Sequence, residues 1–191
     1  MKTNKITISG YAGTGKSTVG KMLAEKLNYE FLSVGNFTRE FAAKKFGLSI
    51  NEFQEKCKKE PLLDDYVNFK FRDICNSREN FVADFRLGFY FVKNSLNILF
   101  TLSEEEAFER LSKAGRSKEQ TDFESIRKRN EDMRHRFIEK FGVDFADEKN
   151  YDLVIDTSEK TPLEITEQIL AATRIEIEIL RELNEYLRRL L

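Results

Sequence analysis

The stretch ISGYAGTGKSTVG places Gly10, Gly15, Lys16 and Ser17 at the spacing G-x-x-x-x-G-K-[ST]. That spacing has a physical cause. A loop that wraps a phosphate with backbone N–H groups needs glycines where the main chain approaches closely or turns unusually. The helix that follows aims its N-terminal amides at the anion. In such a loop Lys16 bridges the β and γ phosphates of a nucleoside triphosphate, and the Ser17 hydroxyl ligates Mg²⁺. The expected ATP-binding residues are therefore Gly10, Tyr11, Ala12, Gly13, Thr14, Gly15, Lys16, Ser17 and Thr18, with ATP and Mg²⁺ as cofactors. A chance match in a Gly/Ser turn is disfavoured by context, because the motif follows a strand and opens a helix.

The remaining chemistry-bearing residues exclude other classes. His135 is the one histidine, and Cys57 and Cys75 show no C-x-x-C spacing, which argues against a His/Cys metal site. Reduced thiols in a cytoplasmic protein are the expectation, and His135 reads as a surface residue rather than a base. A net charge of −1 provides no global field for nucleic acid or an anionic membrane, so small-molecule nucleotides are the expected partners. The start MKTNKITISG does not resemble a signal peptide, and no apolar run approaches membrane length. A switch GTPase would carry an N/TKxD base-reading motif after its fourth strand, and ILFTLSEEE has none. What remains is a small phosphotransferase whose acceptor sits opposite the loop.

The elements that must position these residues follow from periodicity. KITISG alternates β-branched residues and ends on glycine, as a buried strand entering a turn does. Val19, Met22, Leu23 and Leu27 recur at helical spacing after Lys16. YEFLSV predicts a second strand, followed after Gly35 by a helix in FTREFAAKKFG. Ser49-x-x-Glu52 is a capping box that opens a helix to about Lys59, and Pro61 starts another. NFVAD, SLNILFTL and YDLVIDTS predict strands three to five. Ser103-x-x-Glu106 caps a helix ending near Gly115, and Thr161-Pro162-Leu163-Glu164 caps a final helix running to the C-terminus. The segment from Arg116 to Lys140 is densely charged and helical, with Arg127, Arg129, Arg134 and Arg136. Strands alternating with helices predict an α/β three-layer sandwich of the P-loop NTPase kind, with a five-stranded parallel sheet.

The order of these segments resembles the cytidylate kinases, particularly the short archaeal-type CMP kinases among the nucleoside monophosphate kinases. The resemblance covers about residues 5–172 and rests on ITISGYAGTGKSTVGKMLAEKL, FLSVGNFTREFA, Pro61 with Asp64, FVADFR, FERLSK, KFGVDF and YDLVIDTS. It implies a core of residues 1–35, 80–112 and 150–173, a helical acceptor-binding insert of about 36–79, a lid of about 113–140 and a C-terminal extension of 174–191. It also implies that Arg39 and Arg86 hold the acceptor phosphate and that Asp84 orders Mg²⁺-bound water. Arg110, Arg116, Arg127 and Arg129 are the lid candidates for the transferring phosphate. Transfer between two anions calls for such positive forks, since the barrier is mostly charge and alignment. Arginine supplies bidentate contacts that lysine does not. The competing reading of each lid arginine is a solvated helix face with i,i+4 partners.

Three departures fall near the acceptor or lid. Asn36 stands where the resemblance implies Asp, Phe85 replaces the Gly between Asp84 and Arg86, and Ala114 stands where a lid arginine is implied. Asn36 and Phe85 are therefore expected to border the acceptor pocket and to bear on substrate identity. The implied reaction is ATP·Mg²⁺ with CMP or dCMP giving ADP and the diphosphate. The alternatives are a small kinase for another monophosphate or metabolite, and a nucleotide-binding relative that transfers no phosphate and serves assembly. Ile165, Ile169, Ala172, Ile179, Leu183, Tyr186 and Leu190 form a stripe suited to packing on the body, or to a homodimer contact beyond Arg174.

Overall fold

Ile6 and Ile8 point to one face of the first strand while Lys5, Thr7 and Ser9 point to the other, and all five are buried. A strand buried on both faces belongs in the middle of a parallel sheet covered on both sides. The computed structural model describes residues 4–113 and 123–173, the side chains of Ser125 and Arg129 excepted. It runs β1 (Lys5–Gly10), α1 (Lys16–Leu27), β2 (Glu30–Ser33), α2 (Val34–Phe46), α3 (Ile50–Lys59), α4 (Pro61–Asn76) and β3 (Phe81–Asp84). It continues with α5 (Gly88–Phe91), β4 (Leu96–Thr101), α6 (Glu104–Lys113), α7 (Phe123–Phe141), β5 (Leu153–Asp156) and a helix over 162–173, here α8.

The five strands form one parallel sheet in the order β2-β3-β1-β4-β5. Ile6 pairs with Val82 and Leu96, and Ile8 with Asp84 and Ile98, so apolar residues line up across the sheet. On one face Ile6, Ile8, Val82, Ile98, Phe100 and Ile155 pack against α1 and α8. On the other, Leu32, Phe81 and Ala83 meet a phenylalanine-rich layer from α4, α5 and α7. From β1 the chain runs to the β2 edge of the sheet, and from the neighbouring β3 it crosses to β4 on the other side. That strand-order reversal opens a crevice at the carboxyl end of β1, where open α/β sheets bind ligands.

Local chemistry sets several boundaries. Ser49 and Glu52 form both hydrogen bonds of the capping box at the start of α3. Thr161 and Glu164 do the same for α8. Ser103 Oγ accepts from Glu106 N at 3.2 Å and so caps α6. Two boundaries differ from the sequence expectation. The second helix begins at Val34, one residue beyond β2, because the Ser33 side chain caps it by accepting from Asn36 N; Gly35 lies inside the helix instead of before it. The four-residue α5 was not expected, and it packs Gly88 directly on Thr7 of β1. The seam residues Ile179, Leu183, Tyr186 and Leu190 lie outside the described residues.

Candidate active site

The phosphate loop is residues 10–15, between β1 and α1. Gly10 and Gly13 hold φ of 135° and 90°, values that side-chain-bearing residues rarely adopt. A Cβ on Gly10 would run into the Phe100 carbonyl, and one on Gly13 would come within 2.9 Å of the Ala107 carbonyl oxygen. The loop is thus held between β4 and α6 as well as by its own turn. Lys16 starts α1 and is buried, and its Nζ donates to the Tyr11 carbonyl at 2.5 Å and to Thr14 Oγ1 at 3.3 Å. The ammonium therefore crosses the mouth of the loop, where a bound phosphate oxygen could replace a carbonyl. Thr18 is exposed in the first turn of α1, and its N–H donates to the Gly15 carbonyl.

The neighbouring strand end supplies an acid and a cation. Ser17 Oγ donates to Asp84 Oδ2 at 2.5 Å, joining α1 to the last residue of β3. Arg86 Nε donates to the Gly10 carbonyl at 3.1 Å, and the Arg86 carbonyl accepts from Ser9 Oγ at 2.9 Å. Both contacts fasten the 84–86 segment to the loop. A hydroxyl and a carboxylate oxygen side by side suit Mg²⁺, which takes few protein oxygens and completes its shell with water and phosphate. Lys16, Ser17, Asp84 and Arg86 are thus brought together at one strand end.

Asn36 and Arg39 lie in the first turns of α2, just after Ser33, the residue in register with Asp84. Both are exposed, and Arg39 Nη2 donates to Asn36 Oδ1 at 2.6 Å. Asn36 thus orients the guanidinium as a neutral acceptor. Phe85 requires a correction. Its side chain is 1% exposed, with its ring edge-on to Phe71 at 5.0 Å and stacked on Phe91 at 5.9 Å. It belongs to the phenylalanine layer under the sheet and presents no side chain to an acceptor, because the main chain turns it inward after β3.

The lid candidates separate. Arg110, on α6, donates from Nη2 to the Thr157 carbonyl at 2.7 Å, which places it on the β5 side of the loop rather than in a lid. Arg127 is exposed and pairs with Glu131 at 3.2 Å, one turn along α7, and that carboxylate raises its pKa. Arg116, Ala114 and the side chain of Arg129 lie outside the described residues. Sequence reasoning had not singled out Arg134, whose Nε and Nη2 both bond the Asp144 carboxylate. Arg134 raises no distinct sequence signal among four arginines, and KFGVDF did not mark Asp144 as its partner. The arginine holds the Asp144 carboxyl below its ordinary range.

A cavity of about 450 Å³ lies between the loop and α7, walled by Tyr11, Thr14, Glu104, Asn130, Arg134 and His135 among others. Asn130 is buried, and its Oδ1 has no hydrogen-bond partner among the described residues. His135 is exposed at the cavity rim.

A phosphate loop followed by a serine–aspartate pair and flanking arginines is the equipment of a small nucleotide-handling enzyme. Residues 5–159 match the Cytidylate kinase-like family. The chain belongs to that family. The cytidylate kinase of Methanobrevibacter smithii is 30% identical over 170 residues, covering 89% of this chain and 98% of its own. An S-adenosylmethionine-dependent nucleotide dehydratase of Lacinutrix mariniflava is 55% identical over 170 residues, covering 89% of this chain. The present chain spans only 36% of that relative's length, so a cytidylate kinase-like unit forms part of a longer polypeptide there. A gluconokinase from Sinorhizobium meliloti shares the fold with a TM-score of 0.62 and 19% identity, over 93% of this chain and 95% of its own. Among the described residues no helix is long and apolar enough to cross a membrane.

Proposed function

We propose that the chain transfers a phosphoryl group from ATP to a nucleoside monophosphate, with CMP or dCMP as the acceptor. The observation that carries this reading is the cluster at the β1 and β3 ends, where Lys16, Ser17, Asp84 and Arg86 meet within a cytidylate kinase-like fold. Lys16 and the loop amides neutralise charge on the transferred phosphoryl, and Arg86 and Arg39 orient the acceptor phosphate. Ser17 and Asp84 would hold Mg²⁺, Asp84 through water, and the ion would supply positive charge to the phosphates bound there. The acceptor oxygen is already anionic near neutral pH, so no side-chain base is required. The test is coupled ADP release across a panel of nucleoside monophosphates, with CMP and dCMP expected to be the best acceptors. Release with a different acceptor moves the assignment to that substrate.

The dehydratase relative favours a second reading. There a unit 55% identical to this chain is joined to further sequence in a protein named for chemistry on a nucleotide. The present chain would then serve a nucleotide dehydratase, either by phosphorylating its nucleotide or by holding one without transfer. Nucleotide binding with no ADP release from any acceptor would select the non-transferring form.

A further inference from the structure

Two adjacent residues beyond the end of α7 grip the phosphate loop from outside. Asp144 takes the Arg134 guanidinium through Nε at 2.9 and 3.0 Å and Nη2 at 2.5 Å. Phe145 takes the Tyr11 ring edge-on at 5.0 Å and 68°. Arg134 and Tyr11 in turn wall the same cavity, where burial raises the Tyr11 phenol pKa and the Arg134 guanidinium opposes that rise. Tyr11 is also the residue whose carbonyl holds Lys16 Nζ at 2.5 Å and Thr14 Oγ1 at 3.0 Å.

The gripping turn is itself rigid. Gly142, at φ 68°, reverses the chain after α7. Asp144 Oδ1 accepts from Ala146 N at 3.0 Å, and the Asp144 carbonyl accepts from Asn150 Nδ2 at 2.9 Å. Phe145 is fully buried, and its carbonyl accepts from Tyr151 Oη at 2.6 Å. A loop whose backbone is open to strain gains preorganisation when an outside contact fixes one of its side chains.

We infer that Asp144 is a positioning residue for the phosphate loop, acting through Arg134 and Tyr11 to fix the carbonyl that seats Lys16. The inference deepens the kinase reading and rests on it. Asp144 touches no substrate. It sets the guanidinium, the guanidinium and Phe145 set the tyrosine, and the tyrosine sets the lysine. The path from Asp144 through Arg134 to the Tyr11 hydroxyl is in series, with Phe145 holding the ring independently, so breaking that path at either end has the same consequence.

The test compares Asp144→Asn, Tyr11→Phe and the double variant in the full chain. Each single variant is expected to lower kcat about tenfold and to weaken binding of a non-hydrolysable ATP analogue several-fold, with KM for the monophosphate unmoved. The double variant is expected to lose no more than the worse single, as elements in series do. Asp144→Glu, which keeps the charge, should recover part of the loss. Losses that multiply in the double variant, or analogue affinity and kcat unchanged in folded Asp144→Asn, would overturn the inference. Should Asp144→Asn not fold, Tyr11→Phe alone decides, because it keeps the ring contact and removes only the hydroxyl. Failure of the kinase reading is distinct: the unaltered protein then releases no ADP, while analogue affinity still reports on the loop.

Discussion

In the proposed reaction Lys16 is the residue on which phosphate handling turns, since its ammonium lies across the loop mouth on the Tyr11 carbonyl. Lys16→Ala is expected to reduce ADP release by about a thousandfold, the scale of losing one preorganised charge contact at a transition state. Near-normal kcat in that variant would refute the assignment of the donor site. Phe85 makes the opposite case. Fully enclosed by Phe71 and Phe91, it should behave as a core residue, so Phe85→Ala is expected to cost about 3 kcal/mol in urea unfolding. KM for the acceptor should stay unchanged in the folded fraction. A large KM change at unaltered stability would return Phe85 to the acceptor pocket. The contrast shows what residue identity reveals. Lys16 is legible because a short local motif carries both its geometry and its chemistry. Phe85 sits within a run that resembles an acceptor site, yet its direction depends on α4 and α5 packing beneath the sheet. Arg134 is illegible for a related reason: its partner Asp144 is ten residues away, around a glycine turn.

At the scale of elements, strands and capped helices were legible because their signals are local. The alternation in KITISG, the Ser49/Glu52 box and the Thr161/Glu164 box each act within a few residues. The start of α2 at Val34 was missed although its cap is local, because Ser33-x-x-Asn36 lacks the Glu that completes a capping box, and the whole of α5 was not legible because it does not depend on local propensity. The former follows from Ser33 turning its side chain to cap directly after β2. The latter depends on a glycine lying flat on a central strand. A Cβ at Gly88 would meet Thr7 Cβ at 2.5 Å and Thr7 Oγ1 at 2.7 Å, and that hydroxyl is engaged with Asn97 Oδ1. Thr7 is buried in β1 and cannot swing aside without breaking that bond. Gly88→Ala is therefore expected to lower stability by about 2 kcal/mol, the cost of overpacking a tight contact. It should also weaken activity, since α5 follows directly on the Asp84–Arg86 segment. Unchanged urea unfolding in Gly88→Ala would show that α5 moves freely off the sheet.

At the scale of the molecule, the buried thiols fall in two different clusters. Cys57, on α3, packs with Ala42, Phe53 and Val67 inside the segment between β2 and β3. Cys75, at the end of α4, packs with Phe71, Phe81 and Ala83 under the sheet itself. Burial raises the Cys57 thiol from 9.0 to about 11 and the Cys75 thiol from 9.0 to about 12. At pH 8 the reactive thiolate is thereby depleted about a hundredfold at Cys57 and about a thousandfold at Cys75, so labelling of either requires opening. Structures open in cooperative units of unequal stability, and ligand-closing segments belong to the weaker ones. The second half of α4 is anchored under the sheet through Phe71 and Cys75, whereas α3 and the start of α4 are tied to α7 only by the partly exposed pairs Arg136–Asp64 and Lys140–Asp65, which hold that end far less firmly. Cys57 is therefore expected to react with a thiol reagent before Cys75, at a rate that barely changes in low urea. Cys75 should react only as fast as the whole protein unfolds. Adding CMP with an ATP analogue should slow Cys57 and leave the order intact. Equal rates with equal urea dependence at both thiols would mean that the Cys57 cluster of α2, α3 and the start of α4 opens only with the sheet, and that acceptor entry needs no separate motion of it.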